Sequence, residues 1–321
     1  MLMFAMLLAS QVFSLPAQER VRDIGTAKLT PVAMPTLVGA PAIFVGAGDR
    51  LVLLDYSDMS VHWADAWGRW LGKHTKVGGG PGEFREIAGI QFSPDGALWI
   101  SDGANSRVSI RSSLDLSVIA EFRVEQSLRT VIAARGGQTL LAIPRSVQHM
   151  AVVVDRTGAQ RNVVAFPAAV ASVNPIARER YLVRVSDSLS VVQFRWLDTR
   201  IGLMPGGDVR YEMRGTLPAP EIVSMSLDTR GSMGYRIGSN EREFAVSAGV
   251  QGNTPLVIRG SKNTLDHGRI IARYDALTGR LIDQVRITRA AELIAATASG
   301  VFVIGETDDG YGMFRVTWPV Q

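Results

Sequence analysis

The chain has 321 residues, 46% of them hydrophobic and 20% charged, and it contains no cysteine. That balance excludes a disordered chain, and the missing cysteine excludes disulfides, thiol catalysis, iron–sulfur clusters and zinc–cysteine sites. The net charge of +4 comes from scattered arginines such as Arg107, Arg111, Arg161, Arg273 and Arg280, with no run of five basic residues, so nucleic acid is not an expected partner.

From Met1 to Leu15 the sequence is almost wholly apolar, and it turns polar at Pro16-Ala17-Gln18-Glu19-Arg20. The run is short for a bilayer span and has the length of a signal-peptide core. Residues 1–17 are therefore read as a signal peptide and residues 18–321 as one exported domain, periplasmic or extracellular. No later segment is apolar enough to span a membrane, so the mature chain is expected to have no span.

Short strands separated by turns follow. Ala42–Val45, Arg50–Asp55, Ser60–Trp63 and Arg69–Gly72 read as one four-stranded unit. Ile87–Ser93, Ala97–Asp102, Arg107–Arg111 and Ser117–Val124 read as the next, with Pro94-Asp95-Gly96 as a hairpin turn. A third unit is Arg129–Ala133, Gln138–Ile143, Met150–Asp155 and Arg161–Phe166. From about residue 168 to 240 the rhythm loosens. Tyr181–Val185, Ser190–Trp196, Val209–Met213 and Ile222–Ser226 are strand-like, and the stretch reads as one unit with insertions, two being the alternative. The pattern returns in Glu243–Ser247, Pro255–Arg259, Arg269–Tyr274 and Arg280–Ile287. The last unit has only three strands, Ala291–Ala296, Val301–Gly305 and Tyr311–Trp318.

A period of about 40 to 45 residues, with four strands per period, is the signature of propeller blades. A four-stranded meander cannot bury both faces alone, so neighbours must stack on it. The expectation is an all-β fold, a single β-propeller of about six four-stranded blades, or seven if the loose stretch holds two. The missing strand of the last blade is expected from the N-terminus, at Gly25–Thr30, closing the ring. A monomer is expected.

Between the first two units lies Gly78-Gly79-Gly80-Pro81-Gly82-Glu83-Phe84. An apolar strand follows, then Asp95-Gly96, Leu98-Trp99-Ile100-Ser101-Asp102 and Asn105-Ser106-Arg107-Val108. This order resembles the NHL-repeat signature, sharply over residues 78–111 and diffusely elsewhere. The resemblance implies a bacterial six-bladed propeller of the NHL-repeat and TolB-like superfamily, many of whose members are exported. Fold does not carry function with it. Each residue of the signature also has a structural use, with glycines for turns, Phe84 for packing between blades, and Asp102 and Asn105 for backbone hydrogen bonds. Arg107 could pair with Asp102.

Candidates for ligand contact are Glu83, Arg85, Asp102, Asn105 and Arg107 of this signature. Trp63 and Trp67, clustered with Trp70 and His62, are the others, since aromatic faces stack on sugars and peptides. The four histidines, His62, His74, His149 and His267, have no metal-ligand spacing, and no metal ligand is assigned. Glu83, Asp102, Asp155, Asp275 and Glu306 are available carboxylates. No P-loop, dinucleotide fingerprint or Gly-x-Ser-x-Gly elbow occurs. The leading expectation is a binding module without cofactor, for a protein, peptide or glycan. The alternative, by analogy with enzymatic propellers, is a lactonase-like metal-dependent hydrolase or lyase with one divalent ion such as calcium at the channel mouth. A weaker option is a quinone-cofactor dehydrogenase.

Overall fold

The computed structural model describes residues 12–14, 22–39, 41–45, 50–65, 69–93, 95–133, 139–146, 148–215, 222–227, 233–237, 243–260, 265–297 and 300–319. The chain opens with β1 (Val12–Ser14) and β2 (Asp23–Val32). Then β3 (Pro41–Val45), β4 (Leu51–Asp55), β5 (Ser60–Ala64) and β6 (Trp70–His74) form an antiparallel four-stranded sheet in sequence order. A second such sheet holds β7 (Ile87–Phe92), β8 (Leu98–Asp102), β9 (Arg107–Arg111) and β10 (Val118–Arg123). A third holds β11 (Leu128–Ala133), β12 (Thr139–Pro144), β13 (Ala151–Asp155) and β14 (Gln160–Val164).

A short helix, α1 (Ala168–Ala171), and a 3-10 turn at Pro175–Arg178 lead into β15 (Arg180–Ser186), β16 (Leu189–Phe194), β17 (Thr199–Leu203) and β18 (Val209–Arg214). This sheet corrects the strand reading of the loose stretch. Its third strand, Thr199–Leu203, escapes the pattern of the sequence, because it follows the buried Trp196-Leu197 with only a tight turn between. Ile222–Leu227 is not a member. As β19 it pairs with β20 (Met233–Ile237) in a separate hairpin. Val12–Ser14, inside the segment read as a signal peptide, runs parallel to β18 at the sheet's edge.

The last strands are β21 (Glu243–Gln251), β22 (Thr254–Gly260), β23 (Ile270–Tyr274), β24 (Leu281–Ile287), β25 (Leu293–Thr297), β26 (Gly300–Thr307) and β27 (Gly310–Thr317). They do not form two separate four-stranded blades. Together with β2 they make one eight-stranded sheet, ordered β21-β22-β23-β24-β2-β27-β26-β25. The ten-residue β2 is long enough to serve both sides. Its first half pairs parallel with β24, and Lys28–Val32 pair antiparallel with Met313–Thr317. The N-terminal strand thus supplies the pairing that the three-stranded end of the chain lacks.

Burial follows the same layering in successive sheets. The second strands read as continuous apolar runs and are buried on both faces: β4 and β8 are buried at every position, as is β16. Such strands need cover on both sides, which stacked neighbours provide. Outer strands β10 and β14 are mostly exposed. The first strands touch in a closed cycle, β3 to β7, β7 to β11, β11 to β15, β15 to β21, β21 to β25 and β25 back to β3. The architecture is that of a β-propeller, with those first strands around its axis.

Candidate functional site

The signature residues meet at the entry to the second sheet. Asp102, at the end of β8, is buried. Its carboxylate accepts hydrogen bonds from the backbone N–H groups of Arg85 (3.3 Å) and Glu86 (3.2 Å), which lead the chain into β7. It also accepts from Asn105 Nδ2 at 2.6 Å and from Arg107 Nη2 at 3.2 Å. Arg107 donates in addition to the carbonyls of Gly80 and Glu83, and to Glu121 at 3.2 Å. Asn105 Nδ2 reaches the Gly78 carbonyl at 3.1 Å, and the Glu83 carboxylate accepts from the Gly80 N–H at 2.9 Å. The residues 78–86 are thereby tied to the second sheet by polar groups that use one another.

Phe84 is buried between β4 and β5 on one side and β7 and β8 on the other, with the Arg111 guanidinium 4.6 Å above its ring. The chain turns into this corner at Gly82, whose φ of +79° suits glycine. Burial holds the Arg111 guanidinium below its ordinary pKa. Asp55, at the end of β4, has the same role one unit earlier, taking the backbone N–H of Gly39 at 3.2 Å and that of Val38 ahead of β3. The third and fourth sheets have a backbone pair at this place, Arg145 N–H to the Ser127 carbonyl and Arg195 N–H to the Glu179 carbonyl, which the second sheet also has in Gly103 N–H to the Glu86 carbonyl.

The remaining candidates are dispersed. Arg85 is exposed, with its guanidinium near Gly79. Trp63 lies across Gly72, its cross-strand partner, where a side chain would collide with the indole. Trp67 lies outside the described residues. Trp70 donates to the Ala33 carbonyl at 2.9 Å. Asp155 and Asp275 cap the turns after β13 and β23, each accepting from a Thr hydroxyl and backbone N–H groups. The Thr157 hydroxyl leads the set of bonds that lowers Asp155 to about 2. Glu306 sits near Glu292, whose pKa is raised by burial first and by Glu306 second. Among the described residues no group of three His, Asp or Glu side chains is placed to hold a metal ion.

None of the described candidates lines the central channel. That cavity, about 620 Å³, is bounded by the first strands, from Pro41–Ile43 through Ala88–Ser93, Arg129, Thr130, Glu179–Val185 and Ser247–Val250 to Leu293–Ala296. Its volume falls in the range of small-molecule sites. The wall is mixed, with apolar side chains interrupted by polar and charged groups. Glu179 is held by Arg195 at 3.3 Å and by the Trp196 indole N–H at 3.3 Å. Arg184 is paired with Asp187. Arg180 is buried, and its guanidinium donates to the carbonyls of Met150 (2.8 Å) and His149 (2.6 Å), with the Phe166 ring 4.9 Å away. Burial lowers the Arg180 pKa to about 10, and Arg129 and Arg178 add to the effect. Arg129 is exposed, on a β-bulge.

Sequence reasoning missed this wall. Its residues are separated by whole blades, and the arginines within it look like any other strand arginine. The bulges that turn side chains toward the axis leave no mark in the alternation of a five- or six-residue strand.

No family model matches the chain, and no curated protein matches its sequence. Solved structures do match in fold. A candidate exported protein from Bacteroides fragilis is 11% identical with a TM-score of 0.60, covering 92% of this chain and 99% of its own. Virginiamycin B lyase from Staphylococcus aureus, in a catalytically inactive form with quinupristin, is 11% identical at a TM-score of 0.56, with 91% and 99% covered. The Cps50 (Swd1) β-propeller domain of Myceliophteria thermophila is 12% identical at 0.52, with 91% and 100% covered. At these identities the likeness establishes the β-propeller fold and nothing more specific.

Proposed function

We propose that this chain is an exported β-propeller that works as a binding module, taking its ligand in the central channel. The observation that carries the reading is the channel itself: a ligand-sized cavity of mixed lining whose one carboxylate among the described lining residues, Glu179, is already engaged by Arg195 and Trp196. Binding uses apolar surface with polar groups set among it, and a mixed wall of this kind supports the reading. Acid–base or metal chemistry needs carboxylates or histidines converging on one point. The eight-stranded sheet counts as two blades sharing β2, which gives a six-bladed ring of the NHL type. The closed cycle of first strands and the signature at residues 78–107 support that count. Export rests on the apolar leader and on the likeness to a candidate exported protein. The partner is a protein, peptide or glycan segment, or a small molecule, that fits the channel, and the chain acts as a monomer.

The alternative is a metal-dependent hydrolase or lyase at the channel mouth, favoured by the likeness in fold to virginiamycin B lyase. One experiment separates the two. Ala88, the extra residue of a bulge in β7, lines the channel, and Ala88→Trp narrows it. Chain 18–321 and its Ala88→Trp form are screened by thermal shift against a library of small acids, sugars and short peptides, beside elemental analysis for metals. Ligands that raise the melting temperature of the first protein but not the second support the binding reading. A stoichiometric divalent ion whose removal by EDTA lowers the melting temperature moves the case to the enzyme. Ligands that act equally on both proteins sink the channel as the site.

A further inference from the structure

Resting on the channel reading, we infer that the ligand carries a carboxylate on an apolar body, and that Arg129 is the residue that takes the carboxylate.

Arg129 is placed by three local facts. It is the extra residue of a β-bulge: Leu128 opposes Pro144 and Thr130 opposes Ile143, so Arg129 has no cross-strand partner. Bulges re-aim side chains beside functional sites, and here the re-aimed residue lines the channel. Its backbone is fixed by the neighbouring sheet. The Ser101 hydroxyl lies 3.3 Å from both the Arg129 and the Gly89 carbonyls. Gly89 is required there, since a Cβ at that position would stand 2.1 Å from the Arg129 carbonyl oxygen. The guanidinium is therefore mounted on a rigid seam between two blades, while its own N–H groups have no acceptor among the described residues.

Among the described residues the charge around it is uncompensated. Arg184 and Glu179 are neutralised by Asp187 and Arg195, which are not part of the wall. Among the described residues Arg180 bonds to backbone carbonyls, which leave its charge in place. Arg129 is near enough to lower the pKa of Arg180, so two cations share this part of the wall. An open guanidinium presents paired N–H groups that match a carboxylate bidentately. Ala88, Val183, Ala248 and Val250 line the same cavity and keep part of their surface open, which suits an apolar body.

The test uses 1-naphthoate and its neutral analogue 1-naphthamide, titrated calorimetrically into chain 18–321 and into three variants, Arg129→Gln, Arg129→Lys and Ala88→Trp. Arg129 is exposed, so its substitutions are expected to fold, and circular dichroism with melting checks this for each protein. The expected result is one naphthoate site that binds at least tenfold more tightly than the amide. Arg129→Gln loses that tenfold preference, Arg129→Lys keeps part of it, and raised salt erodes it. Ala88→Trp abolishes binding of both probes. Equal affinity for acid and amide, or an unchanged preference in Arg129→Gln, overturns the carboxylate inference and leaves the channel reading standing. Naphthoate binding unaffected by Ala88→Trp, or no binding of either probe, overturns both.

Discussion

Arg107 is largely covered and Arg200 is buried, with side chains 11% and 5% exposed, and each has a carboxylate beside it. Around Arg107 the partners are Asp102 and Glu121 plus two backbone carbonyls, and only Nε lacks an acceptor. Around Arg200 the partners are Asp198, which is 22% exposed, and the face of Tyr274 at 4.0 Å. Its Nε and Nη1 have no acceptor among the described residues, and the nearby Gln193 Oε1 and Tyr211 hydroxyl have no partner there either. These groups share a void of about 10 Å³ between two sheets, room for about one water. The first region is a finished polar lock. The second is a seam where polar atoms face a gap. A buried ion pair stabilises little in itself, but breaking one strands the survivor.

The two regions should therefore answer differently to the same operation. Asp102→Ala leaves Arg107 short of its main partner and frees the N–H groups of Arg85 and Glu86, so it should cost about 3–5 kcal/mol. Arg200→Met removes two unpartnered nitrogens and returns Asp198 to water, keeping an apolar stem against Tyr274. Its change should stay within about 1 kcal/mol, in either direction. Urea unfolding of both variants measures the contrast. Equal losses would mean that the Arg200 seam is as tightly bonded in solution as the Asp102 corner.

Acid should sharpen the contrast, because the titratable histidines lie on one side of it. Burial lowers both His62 and His74 below the ordinary histidine value of 6.5. His62 packs edge-on to Trp70 and bonds the Ser60 hydroxyl at 3.0 Å, and His74 donates to the Gly82 carbonyl in the corner loop at 3.2 Å. Residues 180–214 contain no histidine. For a base whose folded pKa is depressed, the unfolded chain takes the proton first. Stability is then fully present above pH 6.5 and falls as pH drops below it, until the folded pKa is passed. Melting temperatures between pH 7.5 and 5 should fall on the acid side, and His62→Gln should flatten that fall. A melting temperature that holds steady down to pH 5 would contradict the burial of both rings.

What the sequence disclosed follows the same division. The corner is local: Gly78 to Arg107 lie within thirty residues, and each residue type declares its use, so both the motif and the Asp102–Arg107 pair were readable. The strands of the first three units and the closing role of the N-terminal strand were readable from periodicity and from the three-stranded end. The Arg200 seam and the channel were not. Gln193, Arg200 and Tyr211 sit on three strands whose alternation is ordinary, and the void exists only because another sheet, bearing Tyr274 and Gly279, stacks against them. Gly202 is a partial clue, since a Cβ there would meet the Tyr211 ring at 2.3 Å, but a glycine in a strand has several readings. Arg129 is hidden for a related reason, because a bulge is a property of two strands together.

The smallest effect tests the seam most directly. Tyr211 is 4% exposed, burial pushes its hydroxyl pKa up, and no group among the described residues bonds to that hydroxyl. A buried hydroxyl that bonds only to a trapped water contributes little, and one that bonds to nothing costs free energy. Tyr211→Phe keeps the ring that covers Gly202 and removes only the oxygen. It should change stability by less than about 0.5 kcal/mol, with a gain if the void is dry. A loss of about 1 kcal/mol or more would place a well-ordered water among Tyr211, Gln193 and Arg200, and Gln193→Leu in the same background would then cost little further, because the three groups would have been acting through that one molecule.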